Sequence, residues 1–144
     1  MFDQIVWLLG RPAEVSSVQR NDATPELPTY ADNTLAILQY DKAIATVEIA
    51  AMEPAPTARR FEVYGTRGSA ILDGFDPGRT LRVVLNGACT EQHLPPVSRQ
   101  ELYEREIAAF VTVIGKTRPA DHPLEHEVMV QETLLRATGV ILPG

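Results

Sequence analysis

Between Asn33 and Leu94 the chain is a succession of short apolar segments separated by turn residues. The clearest turn is Asn86-Gly87, because both residue types accept the positive φ angles that a two-residue hairpin requires. Asp41-Lys42 marks a second, weaker hairpin turn, and another apolar segment, Glu14–Arg20, precedes the region. Consecutive strands joined by tight turns pair antiparallel, so the sequence predicts an antiparallel sheet of about seven strands.

The predicted strands are Glu14–Arg20, Asn33–Tyr40, Ala43–Met52, Arg60–Tyr64, Ser69–Leu72, Thr80–Leu85 and Cys89–Leu94. Turns are expected at Gly65–Gly68, whose two glycines can take positive φ, and at Asp73–Gly78. The stretch Asn21–Tyr30 is predicted to be a loop, since Pro25 and Pro28 disfavour helix and central strand. This loop either shapes the rim of a pocket or is a plain connection.

Helical periodicity flanks the strands on both sides. The first predicted helix buries Phe2, Ile5, Val6 and Leu9 and stops at Gly10. The second starts at a capping box formed by Ser98 and Glu101 and ends at Gly115. Its apolar positions are Tyr103, Ile107, Phe110 and Ile114. The third is expected to be capped by Asp121, with Pro123 in its first turn. Its apolar face is Leu124, Val128 and Leu135, with neighbouring Met129 and Leu134, and it ends at Gly139.

Helices segregated from strands indicate an α+β fold: an open-faced, predominantly antiparallel sheet with helices packed on one face. The length predicts a single domain over residues 1–144. The strand Ala43–Ala51 is apolar on both sides, so a second subunit is predicted to cover the open face, giving a homodimer or higher homo-oligomer. A charge at Val47 or Ile49 should break this assembly if that face is the interface, and unfold the protein if it is the helix face.

Charge and cysteine content exclude several classes of protein. A net charge of −6 and a pI of about 5.0 disfavour non-specific nucleic-acid binding. The single cysteine, Cys89, excludes an intrachain disulfide framework and a thiolate zinc cluster, and favours a reducing, cytoplasmic setting. No apolar run approaches the roughly 20 residues of a membrane span, and Asp3 and Gln4 stand where a signal peptide would be basic.

Several side chains are candidates for chemistry, each with a simpler alternative. His122 and His126, flanked by Glu125 and Glu127, have the spacing of two metal ligands on one helix face, or form a solvated helix start. Cys89 and His93 share a strand face, but a nucleophile also needs a lowered pKa, so a packed or half-exposed thiol is the alternative. Four arginines either meet an anionic ligand or are solvated: Arg59, Arg60, Arg79 and Arg82. Ser16, Ser17, Ser69 and Ser98 lack a nucleophile-elbow context.

Motifs in a consistent order resemble the C-terminal domain of the glucose-fructose oxidoreductase / inositol dehydrogenase / rhizopine-catabolism (Gfo/Idh/MocA) family. Asp3 and the segment Trp7–Val15 are similar to the family's Asp followed by Trp-Leu-x-Gly-x-Pro and Val. Asp32-Asn33-Thr34 resembles the entry to its sheet, and Phe61–Ser69 resembles its Glu-x-x-Gly-Thr-x-Gly hairpin. Tyr103, Glu106 and Phe110 are similar to its penultimate helix. The resemblance implies an open sheet of the dihydrodipicolinate-reductase-like type.

The resemblance also implies an NAD(P)-dependent oxidoreductase acting on a sugar, polyol or related hydroxyl compound. This domain would then supply one wall of the substrate pocket and the oligomer surface. The chain lacks the Gly-x-Gly-x-x-Gly nucleotide cradle and the family's Glu-Lys-Pro lysine. The family's catalytic His would stand three residues before Asp3, which makes Asp3 the nearest candidate for a catalytic residue; a dipole-stabilising acid is its alternative.

We therefore expect this chain to be the substrate-binding and oligomerisation part of a larger enzyme, to bind no cofactor and to be inactive by itself. A stand-alone ligand-binding or interaction module without catalytic activity is the alternative. A small hydrolase or metal enzyme using His122 and His126 is a third hypothesis.

Overall fold

A computed structural model describes residues 1–55, 59–74, 79–115 and 122–140. The helices and strands in these ranges are α1 (Phe2–Leu9), β1 (Glu14–Arg20), β2 (Asn33–Gln39), β3 (Ile44–Ala50), β4 (Arg60–Gly65), β5 (Gly68–Asp73), β6 (Thr80–Leu85), β7 (Ala88–His93), α2 (Arg99–Ile114) and α3 (Leu124–Ala137). All strand pairs are antiparallel, in a three-stranded sheet β1-β2-β3 and a four-stranded sheet β4-β5-β6-β7. The predicted α+β class and antiparallel pairing are confirmed.

The chain divides into two compact units. The first unit, Met1–Pro54 with Ala120–Gly144, contains α1, the three-stranded sheet and α3. The second unit, Ala55–Pro119, contains the four-stranded sheet and α2. Among the described residues, the buried hydrophobic side chains that form the core all lie in the first unit: Ile5, Val6, Val15, Ala36, Leu38, Val47 and Ala137. The single domain over residues 1–144 stays a prediction.

One face of the three-stranded sheet is covered by α3. Val15, Ala36 and Val47 share this face, because the antiparallel register aligns Ala36 with Val47 and places Val15 two residues from the partner of Ala36. Gln19, on the same face of β1, donates from Nε2 to the carbonyl oxygen of Ala137 in α3 at 3.4 Å. Val47 is 2% exposed. The face of the sheet that contains Val47 is therefore the one that α3 covers. A charge at Val47 is thus expected to unfold the protein and not to break an oligomer.

The opposite face of this sheet carries an apolar patch without a cover among the described residues of the first unit. Val18 and Ile44 are 58% and 73% exposed. Leu35, the register partner of Val18, and Ile37 lie half-buried between them. This Val18–Leu35–Ile37–Ile44 patch is the open face of the three-stranded sheet.

The inward face of α3 differs from the predicted one. Leu124 and Val128 are 76% and 52% exposed, whereas His126, Thr133 and Ala137 are buried. The prediction of a purely apolar face is wrong because hydrogen bonds let the two polar side chains enter the interior. Thr133 Oγ1 donates to the carbonyl oxygen of Met129 at 2.7 Å, and His126 bonds to α1 as described below.

The helix starts follow the sequence signals only in part. Ser98 Oγ accepts from the backbone N–H of Glu101 at 3.1 Å, as predicted. The predicted reciprocal bond of the capping box, in which the Glu101 carboxylate accepts from a backbone N–H, is wrong. The Glu101 carboxylate pairs with Arg105 instead. Pro123 occupies the N-cap position of α3 rather than its first turn, and the predicted cap Asp121 lies outside the described residues. The apolar positions predicted for α2 are exposed: Tyr103, Ile107, Phe110 and Ile114.

Two turn predictions have different outcomes. Asn86 and Gly87 have φ angles of 50° and 82°, which confirms the β6–β7 hairpin turn. The predicted turn at Gly65–Gly68 is confirmed, but its two glycines do not use the positive φ that glycine allows, because the positive-φ glycines of the described residues are elsewhere. Gly68 has another reason to be glycine: a Cβ there would overlap the Val84 carbonyl oxygen on the neighbouring strand. Of the predicted Asp73–Gly78 turn, residues 75–78 lie outside the description.

Gly68→Ala is therefore expected to destabilise the protein by about 2 kcal/mol or more, because β5 and β6 must separate to admit the methyl group. Gly65→Ala is the matched control, since its Cβ would have the Gly68 carbonyl oxygen as its nearest neighbour at an ordinary 3.6 Å. Urea denaturation of both variants measures the difference. Equal stability of the two variants would contradict the close approach at Gly68.

Candidate functional site

An open depression of about 410 Å³ lies beside α1 in the first unit. Asp3, Gln4 and Trp7 line it from the outer side of α1, and His122 lines it from the segment before α3. Trp7 is 65% exposed, while its neighbours Ile5 and Val6 face the interior. The same short helix therefore anchors itself with one side and presents an aromatic ring and polar groups with the other.

A hydrogen bond between α3 and α1 orients the acid of this depression. His126 Nε2 lies 2.8 Å from Asp3 Oδ1, with the histidine side chain 7% exposed and the aspartate side chain 50% exposed. The His126 ring stacks on the His122 ring, with centroids 4.6 Å apart and an interplanar angle of 24°. Asp3 thus forms one cluster with the neighbouring pair His122 and His126, although His126 is 123 positions away in the sequence.

The arrangement defines the hydrogen-bonding capacity of the cluster. An ionised carboxylate only accepts, so His126 donates from Nε2 to Asp3 Oδ1. No other described residue bonds to the Asp3 carboxylate. Oδ2 therefore remains available to accept a hydrogen bond from a ligand in the depression.

The metal hypothesis for His122 and His126 finds no support in this geometry. Their rings lie face to face, and Nε2 of His126 is engaged by Asp3. Over the described ranges, no group of three or more His, Cys, Asp or Glu side chains is placed to hold a metal ion. The stacked rings of His122 and His126 at the start of α3 are thus a packing feature, and the His126 ring also holds the Asp3 carboxylate in place.

A second polar centre in the first unit organises the loop between β1 and β2. The side chain of Asp32 is 1% exposed and accepts four hydrogen bonds. Three come from backbone N–H groups of Asp22, Ala23 and Thr24 at 2.8, 2.9 and 3.0 Å, and the fourth from Thr24 Oγ1 at 2.9 Å. The Asp32 carbonyl oxygen also accepts from the N–H of Ala51 at 2.7 Å, which ties the loop to the end of β3.

These donors stabilise the ionised form of Asp32. The backbone N–H of Asp22 makes the largest contribution to lowering the pKa of the Asp32 carboxyl, against the opposing effect of burial. The pKa of Asp22 is lowered as well, chiefly by its hydrogen bonds with Arg20 and then with Asn33. The predicted loop Asn21–Tyr30 is confirmed as irregular. A buried carboxylate fixes its first turn.

Two of the four candidate arginines have carboxylates as neighbours. Arg60 pairs with Glu62 at 3.1 Å, and Glu62 also accepts from the Tyr64 hydroxyl at 2.9 Å. The Tyr64 hydrogen bond, followed by that of Arg60, lowers the pKa of Glu62. Arg82 lies opposite Glu91 on the neighbouring strand. A carboxylate thus pairs with Arg60, and another is the register partner of Arg82. Arg59 and Arg79 directly precede β4 and β6.

Cys89 and His93 do not form a nucleophile and base. Cys89 is exposed at the start of β7. His93, four residues along the same strand, lies roughly 13 Å away at the rise of an extended chain. The His93 ring instead lies against the Thr80 hydroxyl, with Nδ1 and Oγ1 3.1 Å apart.

Solved oxidoreductases share this fold. Biliverdin reductase from Synechocystis, solved with biliverdin and NADP+, has a TM-score of 0.70 at 22% identity, over 96% of this chain and 43% of its own. UDP-N-acetylglucosamine 3-dehydrogenase from Acidithiobacillus ferrooxidans has a TM-score of 0.74 at 20% identity, over 97% and 44%. A 3-ketoreductase from Actinomadura kijaniata, solved with TDP-benzene and NADP, has a TM-score of 0.65 at 14% identity, over 92% and 41%. The chain spans less than half the length of these proteins.

These structures show a shared fold, and a family profile adds the kind of domain. Residues 1–71, about half of the chain, match the sequence profile described as the GFO/IDH/MocA C-terminal domain. This match confirms the resemblance to the Gfo/Idh/MocA family, on the segment that holds α1, the three-stranded sheet and Asp32. Comparison with the curated proteins gives no match. None of the described helices is long and apolar enough to cross a membrane.

Proposed function

We propose that this chain is the substrate-binding and oligomerisation domain of an NAD(P)-dependent oxidoreductase acting in the cytoplasm on a sugar, polyol or related hydroxyl compound. The match of residues 1–71 to the family profile is the observation that carries the proposal. Two further findings support it: the fold is shared with NADP-bound oxidoreductases, and Asp3 lines a depression suited to a small ligand.

The described residues do not fit the dinucleotide itself. Nucleotide cradles form where a strand leads through a glycine-rich turn into a helix. The only strand-to-helix connection within the described ranges is residues 94–98, which contain no glycine. We therefore assign no step of hydride transfer to this chain. Its role is to bind and orient the substrate, with Asp3 as the candidate acid nearest to the reacting centre.

The proposal predicts a difference between the isolated chain and the native polypeptide that contains it. The purified 144-residue chain should not oxidise or reduce sugars with NAD(P)+ or NAD(P)H. The polypeptide captured from its native cell by an antibody against this chain should catalyse such a reaction. Turnover by the isolated chain, or a captured protein that is inactive with every sugar and polyol tested, would contradict the proposal.

The homo-oligomer is proposed to form through the Val18–Leu35–Ile37–Ile44 patch. Its exposed apolar side chains lie on the sheet face opposite α3, where a second copy can cover them. Ile44→Asp should lower the molar mass measured by light scattering to that of one copy while the circular dichroism spectrum is unchanged, because Ile44 is exposed within a copy. Lys42→Asp, at the nearby turn, is the control. A wild-type monomer at high concentration would contradict this arrangement.

A further inference from the structure

We infer that the depression lined by Asp3, Gln4, Trp7 and His122 binds an uncharged sugar or cyclic polyol by stacking one face of its ring on Trp7. This inference rests on the proposed function and names a binding surface and a ligand charge for it. The four side chains combine an apolar platform with carboxylate, amide and imidazole groups.

The platform is the indole of Trp7. It is 65% exposed in a helix whose other side supplies buried Ile5 and Val6, so the ring is not needed for the interior packing. A pyranose or cyclitol ring presents a flat face of C–H groups. Stacking this face on an indole removes apolar surface of both rings from water. The hydroxyl groups around the rim of the ring remain free for polar contacts.

The polar groups stand next to this platform and are partly preorganised. Asp3 is one helical turn before Trp7, and the bond from His126 to Oδ1 leaves Oδ2 to accept from a hydroxyl. The Gln4 amide both donates and accepts, so Asp3 and Gln4 together match two neighbouring hydroxyls. Because His126 is buried and fixes the carboxylate, little side-chain freedom of Asp3 is lost on binding.

The charge of the depression selects against acidic ligands. Among the described residues, its lining contains the Asp3 carboxylate and no lysine or arginine, and the chain as a whole carries a net charge of −6. A sugar acid or sugar phosphate would bring a second negative charge next to Asp3 without a compensating cation. The ligand is therefore the neutral sugar or polyol.

The chain contains a single tryptophan, so its intrinsic fluorescence reports on this depression alone. The probes are glucose, galactose and myo-inositol, with glucuronate as the acidic counterpart of glucose. We expect a saturable change in Trp7 emission with at least one neutral compound, with half-saturation in the millimolar range, and binding of glucuronate weaker by roughly tenfold or more. No saturable change up to about 200 mM, or equal binding of glucose and glucuronate, would overturn the inference.

Asp3→Asn tests the carboxylate directly. The asparagine Oδ1 can still accept from His126, so the fold should be kept, and circular dichroism checks this. We expect the neutral ligand to bind roughly fivefold more weakly and the discrimination against glucuronate to disappear. Glu127→Gln is the matched control, because it removes an exposed carboxylate from α3 that does not line the depression, and it should titrate like the wild type.

These outcomes are separable from those of the proposed function. A native enzyme that turns over a sugar with NAD(P), combined with no response of Trp7 to that sugar, overturns the depression as its binding surface and leaves the proposed function intact. An inactive native protein whose isolated domain still binds neutral polyols through Trp7 overturns the oxidoreductase and supports the binding surface. Unchanged affinity in Asp3→Asn overturns the role given to the carboxylate.

Discussion

Val47→Asp is expected to prevent the chain from folding. Val47 is 2% exposed on the sheet face that α3 covers, so the new carboxylate would be buried without a partner. An unpaired buried charge costs several kcal/mol or more, against a total stability of roughly 5–15 kcal/mol for an ordinary domain. Circular dichroism and the yield of folded protein measure the effect.

Ile44→Asp is the matched control for this variant. It places the same charge on the same strand, but Ile44 is 73% exposed on the open face, so a single copy should fold normally. Val47→Ala gives a graded test, with an expected loss of about 2 kcal/mol from the removal of buried methyl groups. A folded Val47→Asp with wild-type stability would show that α3 does not cover this face.

Asp32→Asn is expected to lower the melting temperature by roughly 5–15 °C in a domain of this size. Three backbone N–H groups and the Thr24 hydroxyl converge on the Asp32 carboxylate. An asparagine would turn its own N–H₂ group toward one of these donors and leave it without an acceptor. The attachment of the loop from Asp22 to Thr24 at the start of β2 would then be weakened, and the bond from Asn33 to Asp22 would remain.

The same contacts give the stability of the protein a defined dependence on pH. The pKa of Asp32 is lower in the folded than in the unfolded chain, so its contribution is complete above the unfolded value near 4. The contribution is lost as the pH falls through the folded pKa. The difference in melting temperature between wild type and Asp32→Asn should therefore be largest at neutral pH and narrow below about pH 4.

Asp41→Asn is the control for this experiment. Asp41 is an exposed residue of the β2–β3 turn, and its replacement should leave the melting temperature nearly unchanged. Thermal unfolding from pH 3 to pH 7 compares the three proteins. A constant difference between wild type and Asp32→Asn over this range would contradict the ionised state of Asp32 as the source of the effect.

Much of the fold follows from local sequence rules. The strands were predictable because turn residues punctuate them, and Asn86-Gly87 adopts the positive φ angles that its residue types favour. The first helix was predictable because Phe2, Ile5, Val6 and Leu9 recur at helical spacing and Gly10, with φ of 75°, ends the helix. Of these four residues Ile5 and Val6 are buried, whereas Leu9, expected on the same face, is 44% exposed. These signals act within a few residues, which is the range that a single sequence specifies well.

The remaining features depend on contacts between distant residues. The inward face of α3 is polar at His126 and Thr133, and only the partner Asp3, 123 positions earlier, explains why His126 can be buried. Gly68 resembles a turn glycine, but the neighbouring strand β6 sets its requirement. Asp32 belongs to a family motif, and its sequence signal beyond that motif is an acid directly after a loop that supplies backbone N–H donors.

In the candidate site, too, local sequence patterns identify single residues, whereas contacts between distant residues bring them together. Asp3 is a candidate through the family resemblance, whereas the spacing of His122 and His126 marks them as a possible pair of metal ligands. The sequence does not connect the acid with this pair. Their assembly into one cluster depends on the packing of α1 against α3. Trp7 entered only through a family motif, because its exposure is a property of the folded helix.

The mass of the native polypeptide tests the central claim most directly. An antibody raised against this 15.9 kDa chain should detect, in extracts of its native cell, a polypeptide of more than twice that mass. Such a band agrees with a C-terminal domain joined to a nucleotide-binding half, as the coverage of 43% of the biliverdin reductase chain leads us to expect. A single band at 15.9 kDa would contradict the account and identify a stand-alone ligand-binding module.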